Sequence, residues 1–322
     1  MVYNAVLLFF SFFAAARCAR LYTMEVCGHQ EFTLESLEAV LESQRQVWEQ
    51  LGIDRPWWSV LSSSEYDDKS ALDDRQALEF YATGEEEVRR ALEAVDRAVA
   101  SRARAAYLPW GGGGFGSVAL DFGCGVGRLA NALARRFFTV LCVDHSARHL
   151  DASRATVSRL FPRRAARVVP VPTTAAASEL AGHLPSAARP EFVLSLLSLQ
   201  HMIPQLQVAA VEHLCDALAD GGLGYVQLLT GYSPAPFIDA HCDPARAVLE
   251  PGMQLHYLPL DEVVGHLAAR GCRALGVERC DRFVSIPERN STSHCVVFAK
   301  SGDDPTIFYH DLESLRVKNP RL

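Results

Sequence analysis

The segment Val118-Ala-Leu-Asp121-Phe-Gly123-Cys-Gly125-Val-Gly127-Arg128 sets three glycines two residues apart at the end of an apolar run. Glycine has no Cβ, so the backbone there can turn sharply and come close to a ligand. The residues that follow predict a helix, and the N–H groups of its first turn have no partner inside it. Asp144 closes the next apolar run, 17 residues past Gly127. A carboxylate at that place accepts hydrogen bonds from both hydroxyls of a ribose. The plainer reading is a tight strand-to-helix turn with Asp144 capping a helix. The joint spacing favours a nucleoside-containing cofactor held across two neighbouring strand ends. Dinucleotide sites use G-x-G-x-x-G and bring the helix end to a pyrophosphate. Here an acid precedes the first glycine. Asp121 would repel a pyrophosphate and suits a cationic amino group.

Strands and helices must alternate to hold such a loop, and the sequence does so. Apolar runs at 118–122, 139–144, 167–171, 192–199 and 225–229 are separated by helical patterns at 128–136, 149–160 and 208–219. Near-continuous apolar strands between helices predict a mostly parallel sheet covered on both faces. A helix at 260–269 and strands at 273–279 and 295–300 follow, the last two joined by a turn, which predicts a closing antiparallel hairpin. The fold class is therefore α/β, a doubly wound, Rossmann-like sheet. Before it, residues 32–50 carry apolar positions at helical spacing, and a second helix is expected from about Glu85. Four glycines, Gly111 to Gly114, mark a boundary. The expected division is an apolar N-terminal segment (1–23), a helical cap (24–110), a cofactor-binding core (111–302) and a polar tail (303–322).

At the glycine segment the chain resembles the class I S-adenosylmethionine-dependent methyltransferases of small-molecule type. The resemblance extends over Phe80-Tyr81-Ala-Thr-Gly84, Phe192 to Pro204, Leu218 to Tyr225 and the closing hairpin, and implies a seven-stranded sheet. It implies that Gly123, Gly125 and Gly127 line the methionine part of S-adenosylmethionine and that Asp121 supports its amino end. It further implies that Asp144 binds the ribose beside His145 and Ser146, that Gln200 and His201 border the transfer site, and that Tyr81 and Gly84 close over the carboxylate. Relatives often carry an acid after the third strand to read the adenine amino group. This chain has Val171-Pro-Thr173-Thr174 there, so a threonine or a backbone carbonyl must serve.

The reaction so implied is direct displacement, in which alignment supplies most of the rate. A general base is needed only for an acceptor that carries a proton at neutral pH. His201 is the first candidate, with His256 and Tyr257 in a proline-rich stretch next, and Trp57 and Trp58 as walls of an acceptor pocket. Each has a plainer structural reading. The histidines lack ligand spacing, so no metal is expected. The acceptor is expected to be a small molecule offering O, N or S. The competing readings are an NAD-dependent oxidoreductase and a non-catalytic protein of the same fold.

Composition narrows the partners. The 322 residues carry 31 Lys+Arg against 38 Asp+Glu, a formal charge of −7, which argues against nucleic acid as a partner. Nine cysteines, an odd count without a C-x-x-C pair, read as scattered buried hydrophobes rather than a disulfide framework. That suits a cytoplasmic protein. Val6 to Ala16 is uncharged and apolar, too short for a comfortable membrane span but of the length of a signal-peptide core. The alternative location is therefore the secretory pathway or an organelle, and a membrane is otherwise not expected as a partner.

Overall fold

A computed structural model describes residues 34–67, 71–100, 116–173, 189–231, 253–280 and 291–301. Residues 1–23, Gly111 to Gly114, Thr174, most of the proline-rich stretch and residues 303–322 lie outside the described residues. Two long helices come first, α1 (Leu34–Asp54) and α2 (Asp74–Ala100). The core then runs β1 (Gly116–Phe122), α3 (Arg128–Leu133), β2 (Phe137–Asp144), α4 (Ala147–Leu160), a single turn α5 (Pro162–Ala165), β3 (Val168–Pro172) and β4 (Phe192–Ser195). A 3₁₀ turn (Leu199–His201) leads into α6 (Pro204–Ala217), β5 (Leu223–Gly231), α7 (Leu260–Ala269), β6 (Cys272–Arg279) and β7 (Thr292–Lys300).

The seven strands form one sheet in the order β3-β2-β1-β4-β5-β7-β6. Strands β1 to β5 are parallel, and β7 runs antiparallel to both β5 and β6. Alternation along the strands feeds two cores. Val118, Leu120 and Phe122 of β1 join Val193 and Val226 against Val211 and Leu214 of α6 and Val263 of α7. Ala119, Val140 and Leu194 face the other way, against Val88, Ala91 and Val95 of α2 and Leu129 and Leu133 of α3. Each such Val or Leu contributes about 1.5–3 kcal/mol when fully buried. The order changes direction at β1, where the crossovers to β2 and β4 leave on opposite sides, and ligands bind at such a point in open α/β sheets.

Two expectations need correction. Helix α2 starts at Asp74, not near Glu85. The Asp73 carboxylate accepts the Gln76 amide at 2.8 Å while Gln76 Oε1 accepts the Asp73 amide at 3.3 Å, a capping box. Gly84 is thus in mid-helix, where an added Cβ would strike the Arg128 carbonyl; the glycine lets α2 lie close on α3. The six cysteines among the described residues are also paired, against the expectation of isolated thiols. Cys124 joins Cys142, Cys215 joins Cys272 and Cys280 joins Cys295, with Cα separations of 5.4, 6.0 and 5.8 Å. Each bond links neighbouring elements (β1 end to β2, α6 to β6, β6 end to β7), an adjacency that spacing along the chain does not display. Among the described residues no helix is long and apolar enough to cross a membrane.

Candidate functional site

An open cleft, with about 740 Å³ of empty space including its solvent mouth, lies at the C-terminal ends of β1, β2 and β4, roofed by α1 and the turn after it. Its floor is the glycine loop. Gly123, Gly125 and Gly127 all take positive φ, at 71°, 52° and 76°. Added Cβ atoms at Gly123 and Gly127 would collide with Ser198 and Ser153, and one at Gly125 would come within 2.6 Å of Val60 Cγ2. The loop is tied to β2: the Gly123 and Cys124 amides donate to the Val143 carbonyl at 2.8 and 3.1 Å. Tyr81 holds it from behind, its hydroxyl donating to the Val126 carbonyl at 2.7 Å, and burial pushes that phenol above its ordinary range.

Asp144 works on both sides of the gap. One carboxylate oxygen accepts the Gly125 amide at 2.8 Å and the other the Ser146 amide at 2.9 Å, and the residue lines the cavity. Ser146 caps α4 through its hydroxyl, accepting from the His149 amide at 3.3 Å. His145 and Thr173 line the cavity beside Asp144, and the Thr173 amide donates to the Asp144 carbonyl at 3.0 Å. Burial lowers the pKa of His145.

Asp121 is 1% exposed, and neither of its carboxylate oxygens has a hydrogen-bond partner. Burial drives its pKa up to about 7, against the pull of the Arg128 guanidinium and of the Ala130 backbone N–H, which faces the carboxylate without hydrogen-bonding either oxygen. Arg128 is itself buried, lines the cavity, donates through Nη1 to Thr83 Oγ1 at 3.2 Å, and leaves its Nε without a partner. An ionisable acid and a guanidinium, both desolvated and under-satisfied beside one loop, are costly unless a ligand completes them. A ligand with an ammonium and a carboxylate on one carbon supplies both complements. The donor set therefore fits the amino-acid end of S-adenosylmethionine, and the Asp144 carboxylate fits its ribose.

The opposite wall comes from α1 and from the segment after β4. Trp48 lies edge-on to His201, ring centroids 5.1 Å apart, and Gln44 Nε2 donates to the His201 carbonyl at 3.0 Å. Glu49 anchors α1 by accepting the Ala147 and Arg148 amides at 2.8 and 3.2 Å. His201 Nδ1 lies 2.9 Å from the Gln254 carbonyl, so that nitrogen carries the proton and Nε2 keeps its lone pair. Burial lowers the pKa of His201 to about 4, so the imidazole is neutral at physiological pH.

The structure thus sets Gly123, Asp144, His145 and His201 on one cavity wall or another, while Gly125 and Gly127 shape the loop without lining the cavity and Asp121 is buried just behind it. It does not bring all the candidates there. Tyr81 and Gly84 sit behind the loop, Ser146 serves a helix cap, and Gln200 is buried beneath His201. His256 is buried with its amide on the Gln200 carbonyl at 2.7 Å, and neither it nor Tyr257, whose pKa burial raises, reaches the cavity. Trp57 packs in an aromatic cluster with Phe80 at 5.2 Å, and Trp58 lies under the Arg55 guanidinium. Sequence reasoning passed over Arg128, Gln44 and Trp48. Arg128 follows the third glycine directly; Gln44 and Trp48 are spaced four apart on one helical face, the one signal available. Glu278, Cys280 and Cys295 gather ligand-type atoms within 4.8 Å, but their two sulfurs are bonded to each other.

Residues 120–223 match a family model described as a methyltransferase domain. No curated protein matches the chain. Among solved structures, magnesium protoporphyrin IX methyltransferase from Synechocystis PCC 6803 with bound SAH is 16% identical, over 80% of this chain and 98% of that one, with a TM-score of 0.48. The CcbJ methyltransferase from Streptomyces caelestis is 20% identical, over 65% and 94%, with a TM-score of 0.40. An S-adenosylmethionine-dependent methyltransferase from Clostridium acetobutylicum ATCC 824 is 13% identical, over 58% and 85%, with a TM-score of 0.39. Likeness at that level carries no functional argument.

Proposed function

We infer, from a chain that carries a methyltransferase domain over residues 120–223, that it transfers the methyl group of S-adenosylmethionine to a small-molecule O, N or S acceptor. The observation that carries the reading is the under-satisfied pair beside the glycine loop, Asp121 with two unpartnered oxygens and Arg128 with an unpartnered Nε. Such a pair complements an amino-acid zwitterion and opposes a pyrophosphate, so it also weighs against the NAD-dependent alternative.

The cofactor, when bound, supplies an electrophilic methyl on a sulfonium. The chain supplies placement. Asp121 and Arg128 hold the ammonium and carboxylate, Asp144 the ribose hydroxyls, and His145 and Thr173 flank the base. Trp48 and the segment 197–202 close the other side and keep water from it. Neutral His201 keeps its Nε2 lone pair beside the transfer site, 3.5 Å from Gln200 Nε2, where an acceptor O–H or N–H takes the place of that long amide contact. With a pKa of about 4 it orients such a proton better than it removes one, and it takes the proton only from an acidic acceptor. Proximity and alignment do the rest.

Calorimetry tests the reading. S-adenosylmethionine should bind, and Asp144→Ala should weaken it at least about tenfold, because the residue holds both ligand and loop. Unchanged binding in that variant would sink the ribose assignment. Fluorescence titration with NAD(H) should give no saturable signal. Failure to transfer labelled methyl into any fraction of an extract of the source organism, with cofactor binding intact, would favour a non-catalytic binding protein.

The cysteine pairs also bear on location. Three bonds within one domain are stable in an oxidising compartment. They favour the secretory or organellar alternative over the cytoplasm. Mass spectrometry of the protein from its source, alkylated without reduction, should then find those six cysteines unmodified; six alkylated thiols would return the reading to the cytoplasm.

A further inference from the structure

We propose that Gln227 is a positioning residue for the acceptor side of the cavity, locking both the backbone at Leu197 and the amide face that Gln200 turns toward His201. The proposal rests on the methyl-transfer reading above. Gln227 sits on β5 with no solvent exposure. Its Oε1 accepts the Leu197 amide at 2.9 Å. Only the oxygen of the side-chain amide can do that, so the flip of Gln227 is fixed by a backbone N–H. Its Nε2 must then donate, and it does so twice, to Gln200 Oε1 at 3.0 Å and to Ser293 Oγ at 2.6 Å. Ser293, on β7, passes its own proton to the Leu228 carbonyl at 3.0 Å.

Each fixed group fixes the next. Since Gln200 receives on its oxygen, its Nε2 is the end left to face His201, and it lies 3.5 Å from His201 Nε2. The Gln254 carbonyl at 2.9 Å already holds the proton of His201 on Nδ1. An N–H therefore meets a lone pair. Were Gln200 to flip, an oxygen would meet that lone pair and repel it. The imidazole is thus oriented from two sides, by Gln254 directly and by Gln227 through Gln200.

The second task of Gln227 is on the backbone. Leu197 lines the cavity and takes φ of 60°, the one positive φ of a non-glycine among the described residues. A leucine in the left-handed region is strained and persists only where its surroundings hold it. The bond to Gln227 Oε1 is such a hold. Without it the turn from β4 toward His201 can relax, and the cavity wall made by residues 197–202 moves with it. A buried amide that saturates its oxygen and both N–H groups on a strained backbone, a neighbouring amide and a hydroxyl does more than fill space.

Two variants of the full chain separate the tasks. Gln227→Met keeps the volume and removes every bond. Gln227→Glu keeps an oxygen for the Leu197 amide. Hydrogen–deuterium exchange without cofactor should show residues 196–202 exchanging at least about tenfold faster in the Met variant and near wild type in the Glu variant. Transfer of tritiated methyl from S-adenosylmethionine into the accepting extract fraction should fall at least tenfold in kcat for the Met variant, with KM for the cofactor within threefold. A merely structural role would instead lower melting temperature and cofactor affinity together and leave kcat of the folded fraction alone. Unchanged exchange in the Met variant overturns the proposal, as does turnover within twofold of wild type in both variants. If the wild type binds no S-adenosylmethionine, the methyl-transfer reading fails and this role goes with it. If the wild type binds and turns over but exchange at 196–202 is indifferent to Gln227, this proposal alone fails. Should the Met variant not fold, the Glu variant's kcat decides.

Discussion

The two walls of the cavity are built in opposite ways. The cofactor wall is local: Asp121, the three glycines, Arg128, Asp144 and His145 fall within 25 consecutive residues, and backbone conformation does most of the work. The acceptor wall is assembled from afar. Gln44 and Trp48 come from α1, Leu197 and His201 from the segment after β4, Gln254 from the stretch before α7, and Gln227 and Ser293 from β5 and β7. The first wall is rigid because left-handed glycines leave it few alternatives. The second is held chiefly by side-chain hydrogen bonds that cross between elements, with the His256 amide on the Gln200 carbonyl as the backbone tie. A substitution on the first wall should therefore act through affinity for cofactor, and one on the second through turnover.

The largest effect should come from Gly123→Ala. Its φ of 71° is unfavourable for alanine, and the added methyl would collide with Ser198. Strain of about 1–2 kcal/mol plus displacement of the cavity wall should weaken S-adenosylmethionine binding about 100-fold, or about 2.8 kcal/mol, measured by calorimetry. Ser198→Gly, which removes both the Oγ and the Cβ that the methyl would strike, should not restore it, because the backbone penalty stays. Restoration would mean that the clash, and not the backbone, governs this wall.

Asp121→Asn should act next, and with a pH signature. The folded carboxyl titrates near 7, against 3.8 as its ordinary value. In the ligand-free protein the fold thus binds this proton more tightly than the unfolded chain does. Its contribution to stability is whole below about pH 4, falls as pH climbs to about 7, and is level above. The difference in melting temperature between wild type and Asp121→Asn should trace that slope. A bound ammonium needs the ionised form, so wild-type affinity should rise up to about pH 7 and then level off. Asp121→Asn should bind about tenfold weaker at pH 8 and about equally at pH 5.5. Parallel profiles would remove Asp121 from the ammonium's partners.

How much of this was legible follows the same division. The sheet was readable because apolar runs of strand length alternate with helical spacing, as at Val118 to Phe122 and Thr139 to Asp144. The cofactor wall was readable because its parts are contiguous. Asp121 was legible as an acid before a glycine, but not as an acid without a partner, since that depends on what burial withholds from it. Helix α2 starts eleven residues before the expected Glu85 because its cap is the side-chain exchange of Asp73 with Gln76, hidden in a run of acids that also reads as a loop. The cysteine pairs were missed because bonds between elements adjacent only in the fold leave no spacing signal. His256 and Tyr257 were chosen for residue type and neighbourhood, yet the strand-like path of 253–259 turns His256 inward. Trp57 looked like a pocket wall and is core, while Trp48, inside α1, is the wall.

Trp48→Ala should have the smallest effect on cofactor and so tests the division most sharply. The indole touches both sides of the cavity, 6.4 Å from the His145 ring and 5.1 Å from that of His201. Edge contacts of this kind are worth about 0.5–1.5 kcal/mol. The residue sits in mid-helix, and α1 keeps its other anchors, the Glu49 carboxylate on the α4 amides and Val40 packed on Ile203 and Leu206. Loss of the indole should therefore weaken S-adenosylmethionine binding by less than about threefold, while transfer of labelled methyl falls more than about tenfold because a wall that aligns the acceptor is gone. A loss of affinity as large as that of Asp121→Asn would place Trp48 with the cofactor wall. The acceptor would then be held by the segment after β4 alone, and α1 would be a cover for the cofactor rather than half of the acceptor site.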